Sequence, residues 1–251
     1  MTKIFYCCLA FVLFSCNEQP AAQAVRATVP VEHIIATKDQ QARRVQSEAY
    51  CKAHGIPIYS NPNAMFTESE AETTLRTKDQ IVDRALALCF IGLKSEGLSP
   101  ERLAEIDKAY GITRKLTPVE RAYVTAAHPT DQQRRDANWR YESLHVLLWA
   151  LGYVDTLSYP DAMCDVAHDA TIIHDLSASQ FRQLAKLRSK KEVLDQADLI
   201  LRLDWACYDA RLAKKPIPGN LSTDIVLERH HSLNWLIRYE NQEWDDVSTD
   251  T

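Results

Sequence analysis

From residue 37 onward, apolar residues recur at three- and four-residue intervals with polar residues between them, which is the signature of helices that bury one face. Five Ser/Thr-x-x-Gln/Glu boxes each stand before such a segment: Thr37 to Gln40, Thr77 to Gln80, Thr117 to Glu120, Thr130 to Gln133 and Ser177 to Gln180. In each box two side chains satisfy N-terminal amides that the helix itself leaves open, so the boxes mark helix starts. Pro118 adds a preset φ at the first helical position, and Ser99-Pro100 opens a further helix. Gly55, ahead of Pro57, closes the first helix, and Gly152 closes the run from Trp139 to Leu151. No stretch alternates with period two over five or more residues, and no Asn-Gly or Asp-Gly hairpin turn occurs. The pattern predicts an all-α fold, a single compact multi-helix domain over residues 37–251 with buried central helices.

Two segments, Trp139 to Leu151 and Glu192 to Leu212, are apolar on nearly every face and are expected at the centre; Asp224 to Tyr239 is more amphipathic. On the second of these, Asp195, Asp198, Arg202 and Asp209 fall at i, i+3, i+7 and i+14 and share one stripe. Asp204 and Arg211 lie opposite, on the side expected nearer solvent. Together with Arg140, Glu142 and Arg229, the stripe interrupts helices otherwise built for a core. Buried charges persist only when paired, so the seven residues form either a structural ion-pair network or the lining of a polar cleft. Ile225, Val226, Leu233 and Leu236 surround Arg229 on its helix, which predicts a buried guanidinium bonded to Asp198 or Asp195, with Glu142 as the fallback partner.

The N-terminus follows a different rule. Lys3 precedes an apolar run from Ile4 to Phe14, too short for the roughly 20 residues a spanning helix needs, which predicts a signal peptide over residues 1–15. Leu13-Phe14-Ser15-Cys16 resembles the lipobox of bacterial lipoproteins, in which the Cys is lipidated and becomes the new N-terminus. Residues 16–36 then read as a lipidated N-terminus and a linker rich in Ala, Gln, Val and Pro. The expected location is the bacterial cell envelope, with the membrane as partner through a lipid on Cys16.

Composition narrows the chemistry. The 251 residues are 46% hydrophobic and 25% charged, with a formal net charge of −5, so the basic excess of a nucleic-acid surface is missing and no nucleic-acid partner is expected. Cys51, Cys89, Cys164 and Cys207 lie in the helical domain without CxxC spacing, and their disulfide state is open; Cys89 and Cys207 sit in apolar runs that suit buried free thiols. Two Glu-x-x-His pairs, Glu142 with His145 and Glu228 with His231, could contribute to a di-metal carboxylate site, but the further carboxylates would have to be Asp195 or Asp198 and an unidentified upstream acid, shorter or worse placed than the pattern requires, and no metal or other cofactor is expected. His168-Asp169 and His174-Asp175 read as a solvated loop, since a six-residue spacing puts the two His on different helix faces. A Gly-rich phosphate loop, a Gly-x-Ser-x-Gly elbow and a His-Glu-x-x-His motif are all absent from the sequence.

Several runs together carry a family resemblance: Trp139-Arg140-x-Glu142 through Leu148-Trp149-Ala150-Leu151-Gly152, Leu194-Asp195-x-Ala197-Asp198-Leu199 through Arg202-Leu203-x-Trp205-Ala206, Asp209-Ala210-Arg211, Glu228-Arg229-His230 through Leu233-Asn234-Trp235-Leu236, and the closing Trp244-Asp245-Asp246-Val247-x-Thr249-Asp250-Thr251. With Ser47 through Gly55-Ile56-Pro57 upstream, they resemble the bacterial family called domain of unknown function 4272. The resemblance implies one domain rather than two and brings no activity with it. The sequence therefore suggests a lipid-anchored envelope interaction or scaffold module with a possible protein partner. The alternative is a hydrolase or metal-dependent enzyme with its site in the polar cluster.

Overall fold

Most of the described helices begin where a side chain closes their open amides. In the computed structural model, which describes residues 35–61 and 64–251, nine α-helices and no strand occur among the described residues. They are α1 Lys38–Ala53, α2 Lys78–Ser95, α3 Pro100–Tyr110, α4 Pro118–Thr125, α5 Asp131–Ala150, α6 Val166–His174, α7 Ala178–Leu184, α8 Lys190–Leu212 and α9 Thr223–Leu236. All five expected capping boxes form, and a sixth joins Ser189 to Glu192, so α8 starts two residues before the expected Glu192. The expected signal peptide, Cys16 and the expected linker as far as residue 34 lie outside the described residues.

Packing follows from the apolar surfaces. The helices α2, α5, α9, α8 and α1 stand side by side in that spatial order, with α3, α4, α6 and α7 set against α2 and α5. Because α5, α8 and α9 each have neighbours on two sides, their apolar residues face several directions, as expected for central helices. Leu144, Val146, Leu147 and Leu148 of α5, Leu194 of α8 and Val226 of α9 are fully buried in one continuous core. The contact of α2 with α5 is close because Gly92 has no side chain: a Cβ there would lie 2.7 Å from Cε2 of the buried Tyr141 ring.

Loop geometry also places chemistry. α5 ends in a left-handed Gly152, φ +78°, where a Cβ would meet the Lys186 carbonyl oxygen at 2.7 Å. The irregular segment 151–165 then carries Cys164 back against α5 before α6 begins at Val166, capped by Asp165. This corrects the loop expected around His168 and His174. Both histidines are indeed exposed on outer faces, but Val166, Asp169 and Ile173, at i, i+3 and i+7, supply an inner stripe that makes the segment a helix.

Candidate functional site

The interior charges of α5, α8 and α9 separate into several groups, each with its own ion-pair partner. Glu142, 0% exposed, accepts a hydrogen bond from Arg229 Nε at 3.0 Å through Oε2, and one from the Cys164 backbone N–H at 2.5 Å through Oε1. Arg229, 2% exposed, also donates from Nη1 to the Ser158 carbonyl at 2.5 Å. It therefore ties α9 to α5 and to the 151–165 segment rather than to α8: the expected partners Asp198 and Asp195 are replaced by the fallback, Glu142. The reason is directional. The side of α9 that carries Arg229 turns toward α5, whereas His230, one residue on, reaches α8 and donates through Nδ1 to Asp204 at 2.8 Å.

That contact overturns the placement of Asp204 near solvent, since it is buried against α9. Arg211 is exposed as expected. On the stripe itself, Asp195 meets Arg43 of α1 at 3.4 Å and Lys191 at 2.6 Å, while Asp198 accepts from Arg202 at 2.8 Å and from Thr67 at 3.3 Å. Asp209 does not belong to the cluster, because it is exposed. With Arg43 at the level of Asp195, Ala53 at the end of α1 falls near the level of Trp205, about one turn short of Asp209. Arg140 forms a further group with Glu228, at 3.1 Å, whose carboxylate also accepts from Ser143 at 2.7 Å.

These pairings dispose of the two Glu-x-x-His pairs as a shared site, although α5 and α9 do pack together. Glu142 is held by Arg229 and Glu228 by Arg140, so guanidinium groups stand where metal ions would. His231 donates from Nε2 to the Trp244 carbonyl at 3.0 Å and packs edge-on against the Trp244 ring. Burial, followed by the nearby Arg140 charge, lowers its pKa to about 4.

His145 has partners outside its Glu-x-x-His pair. Its Nδ1 donates to Asp169 Oδ2 at 2.8 Å, and one ligand atom each from His145, Cys164 and Asp169 lie within 4.8 Å of one another. All three residues are buried, with Asp169 at 0%, His145 at 8% and Cys164 at 9% exposure. The Cys164 thiol donates to the Tyr141 carbonyl, and burial, reinforced by Glu142 and Asp169, raises its pKa well above the ordinary thiol range. Cys51, Cys89 and Cys207 are also buried free thiols, pushed up by burial to about 11, 12 and 11. At neutral pH none of the four is a thiolate, the form needed for nucleophilic attack.

A cleft of about 130 Å³ opens at another face, between α2, α4, α5 and the 3-10 turn Trp244–Asp246. Ile91, Tyr123 and Trp244 give it apolar walls, and Glu120, Asp136, Arg140 and Asp245 its polar rim. Glu120 caps α4 and holds Arg84 of α2 in an ion pair, yet its Oε1 is buried without a hydrogen-bond partner among the described residues, as is the Tyr123 hydroxyl. Of the seven cluster residues predicted from sequence only Arg140 reaches this cleft; Arg229 lines a separate cavity of about 90 Å³ between α1, α8 and α9. Arg84 stands beside Asp83 just before the apolar run of α2, and its spacing did not mark it as buried. Glu120 was named only as part of a cap.

No curated protein and no solved structure matches the chain at a significant level. The model of the family described as Domain of unknown function (DUF4272) matches residues 43–247, which takes in all nine helices except the first turns of α1 and includes every interior ion pair described above. The chain belongs to this family.

Proposed function

We propose that this protein is a lipid-anchored binding module of the bacterial envelope, held at the membrane through Cys16 and receiving a basic side chain of a protein partner in the Trp244 cleft. The observation that carries the reading is the pair of buried, unpartnered polar atoms at the cleft, Glu120 Oε1 and Tyr123 Oη. A buried polar group without a hydrogen bond costs about 1–3 kcal/mol, which an entering donor would recover. The charge balance favours a cation: Arg140 is already engaged with Glu228 and Arg84 with Glu120, which leaves Asp136 and Asp245 exposed on the rim. The aliphatic stem of a Lys or Arg fits against Ile91 and Trp244 while its head meets the acids.

The interior charges support a structural rather than catalytic use of the polar residues, because each is paired to fix one helix against another or against a connecting segment. The alternative of a cysteine hydrolase is disfavoured by the protonated thiols, whereas a metal-dependent reading is favoured by one observation, the His145, Cys164 and Asp169 donor set. A photo-crosslinking residue at Val119, on the cleft rim, is expected to capture one discrete partner in cells. The same residue at the equally exposed Val45 of α1 serves as control, and equal capture from both positions would count against the reading.

A further inference from the structure

The segment 151–165 brings Cys164 to rest between α5 and α6, beside two other groups of ligating chemistry. His145 projects from α5 and Asp169 from the inner stripe of α6, so three donors of three kinds, nitrogen, sulfur and oxygen, converge from three separate elements. We propose that His145, Cys164 and Asp169 form a binding site for a single thiophilic divalent cation of the zinc class.

Two features beyond proximity point to a cation. Asp169 is fully buried and its Oδ1 has no hydrogen-bond partner among the described residues, a costly arrangement for a carboxylate oxygen that a metal ion would relieve. Its other oxygen lies 2.8 Å from His145 Nδ1, so the carboxylate and an imidazole nitrogen already face each other, and an ion seated between them takes the Nδ1 lone pair with the imidazole proton on Nε2. The surrounding groups are already settled. Glu142, which faces Cys164, is neutralised by Arg229 and holds the Cys164 backbone N–H, so it steadies the loop without competing for the ion.

The charge and distance balances both close. Binding transfers the Cys164 thiol proton to solvent and forms a thiolate bond to the ion; with one carboxylate and a neutral imidazole, a dication gives a site of net charge zero, which suits burial. Tetrahedral zinc bonds of about 2.0–2.3 Å place donor atoms about 3.3–3.6 Å apart, so the cluster, already within 4.8 Å, needs to contract by at most about 1.5 Å. Three protein donors leave a fourth position for water or a substrate oxygen. The preference is for zinc, cobalt or nickel over magnesium or calcium, because the sulfur and nitrogen donors are too soft for the latter. The site was hidden in sequence because its three donors are not regularly spaced. It would exist whether or not the Trp244 cleft receives a partner.

The test is a titration of the purified, chelator-treated full chain with cobalt(II) chloride, followed by displacement with zinc(II) chloride. One cobalt per chain is expected, with the visible bands of a four-coordinate ion and a thiolate charge-transfer band, all abolished by zinc. Cys164→Ser should remove the charge-transfer band and weaken binding at least tenfold; Asp169→Asn should weaken binding at least tenfold while keeping the band. Cys89→Ser, in a buried thiol outside the cluster, should change neither. Absence of a thiolate band from the unsubstituted chain overturns the proposal without reference to any variant. Survival of the band in a folded Cys164→Ser chain, or its loss in a folded Cys89→Ser chain, overturns it too, with folding read from circular dichroism.

Discussion

Replacing Arg229 by Ala removes the cation from the most enclosed ion pair in the structure. Glu142 is 0% exposed and would retain only the Cys164 amide as donor, while the Ser158 carbonyl loses the Nη1–H bond that holds the 151–165 segment. Breaking a buried pair from one side costs about 3–5 kcal/mol, since the partner charge remains without compensation. For a domain of this size each kcal/mol lowers the melting temperature by about 2–4 °C, so a fall of roughly 6–20 °C is expected. Arg211→Ala, exposed on α8, is the control and should stay within about 0.5 kcal/mol. Differential scanning calorimetry on the two variants and the unsubstituted chain measures the contrast. A double variant, Arg229→Met with Glu142→Gln, separates pairing from packing. Removing both charges should recover much of the loss, because a buried pair contributes less than the cost of leaving half of it. Equal melting temperatures for Arg229→Ala and Arg211→Ala would refute the reasoning, and a double variant no better than Arg229→Ala would show that packing, not charge, dominates.

Three other outcomes follow from the same geometry. His231 titrates near 6.5 when unfolded but near 4 when folded, so between those values the unfolded chain binds more protons and stability falls as pH drops, by about 3 kcal/mol in all; urea unfolding at pH 7 and pH 4.5 should show the loss, and His231→Gln should flatten it. Gly92→Ala forces a methyl group into the buried Tyr141 ring and should destabilise by about 1–2 kcal/mol despite its better helix propensity, whereas Gly97→Ala, where a Cβ meets nothing within 4 Å, is strained only by its positive φ; denaturant midpoints compare the two. Cys16→Ala should move the protein out of the membrane fraction in cell fractionation, and a variant that stays there would remove the lipid anchor from the account.

Much of the fold was legible because local chemistry and global packing agree. The capping boxes at Thr37, Thr77, Thr117, Thr130 and Ser177 announce helices that the structure contains, since a cap acts on residues within one turn and needs no tertiary context. The polar residues were legible as a class but not by partner. Arg229 was expected to be buried, and is, yet a single helix pattern cannot say which neighbouring helix its inner face meets; the spare acids of α8 favoured Asp198 or Asp195, and the fallback Glu142 is the partner. Asp209 shares the stripe of Asp195 and Asp198 but lies beyond the end of α1, and periodicity carries no information about where a covering helix stops. Asp169 was missed for a different reason. The spacing of His168 and His174 drew attention to the outer faces of α6, while Val166, Asp169 and Ile173 carried the inner-stripe signal. The Trp244 cleft depends on α2, α4, α5 and the C-terminal turn meeting, which the sequence shows only as separate motifs.

The most direct measurement of the binding-module account is the yield of the crosslinked adduct formed from Val119 in cells, followed through membrane fractionation and compared with a chain carrying Asp136→Lys and Asp245→Lys. If the cleft seats a basic side chain, these two reversals on its rim should lower the adduct yield about tenfold, equivalent to about 1.4 kcal/mol of lost affinity, while the remaining adduct stays in the membrane fraction. An adduct of unchanged yield in the reversed chain would contradict the account.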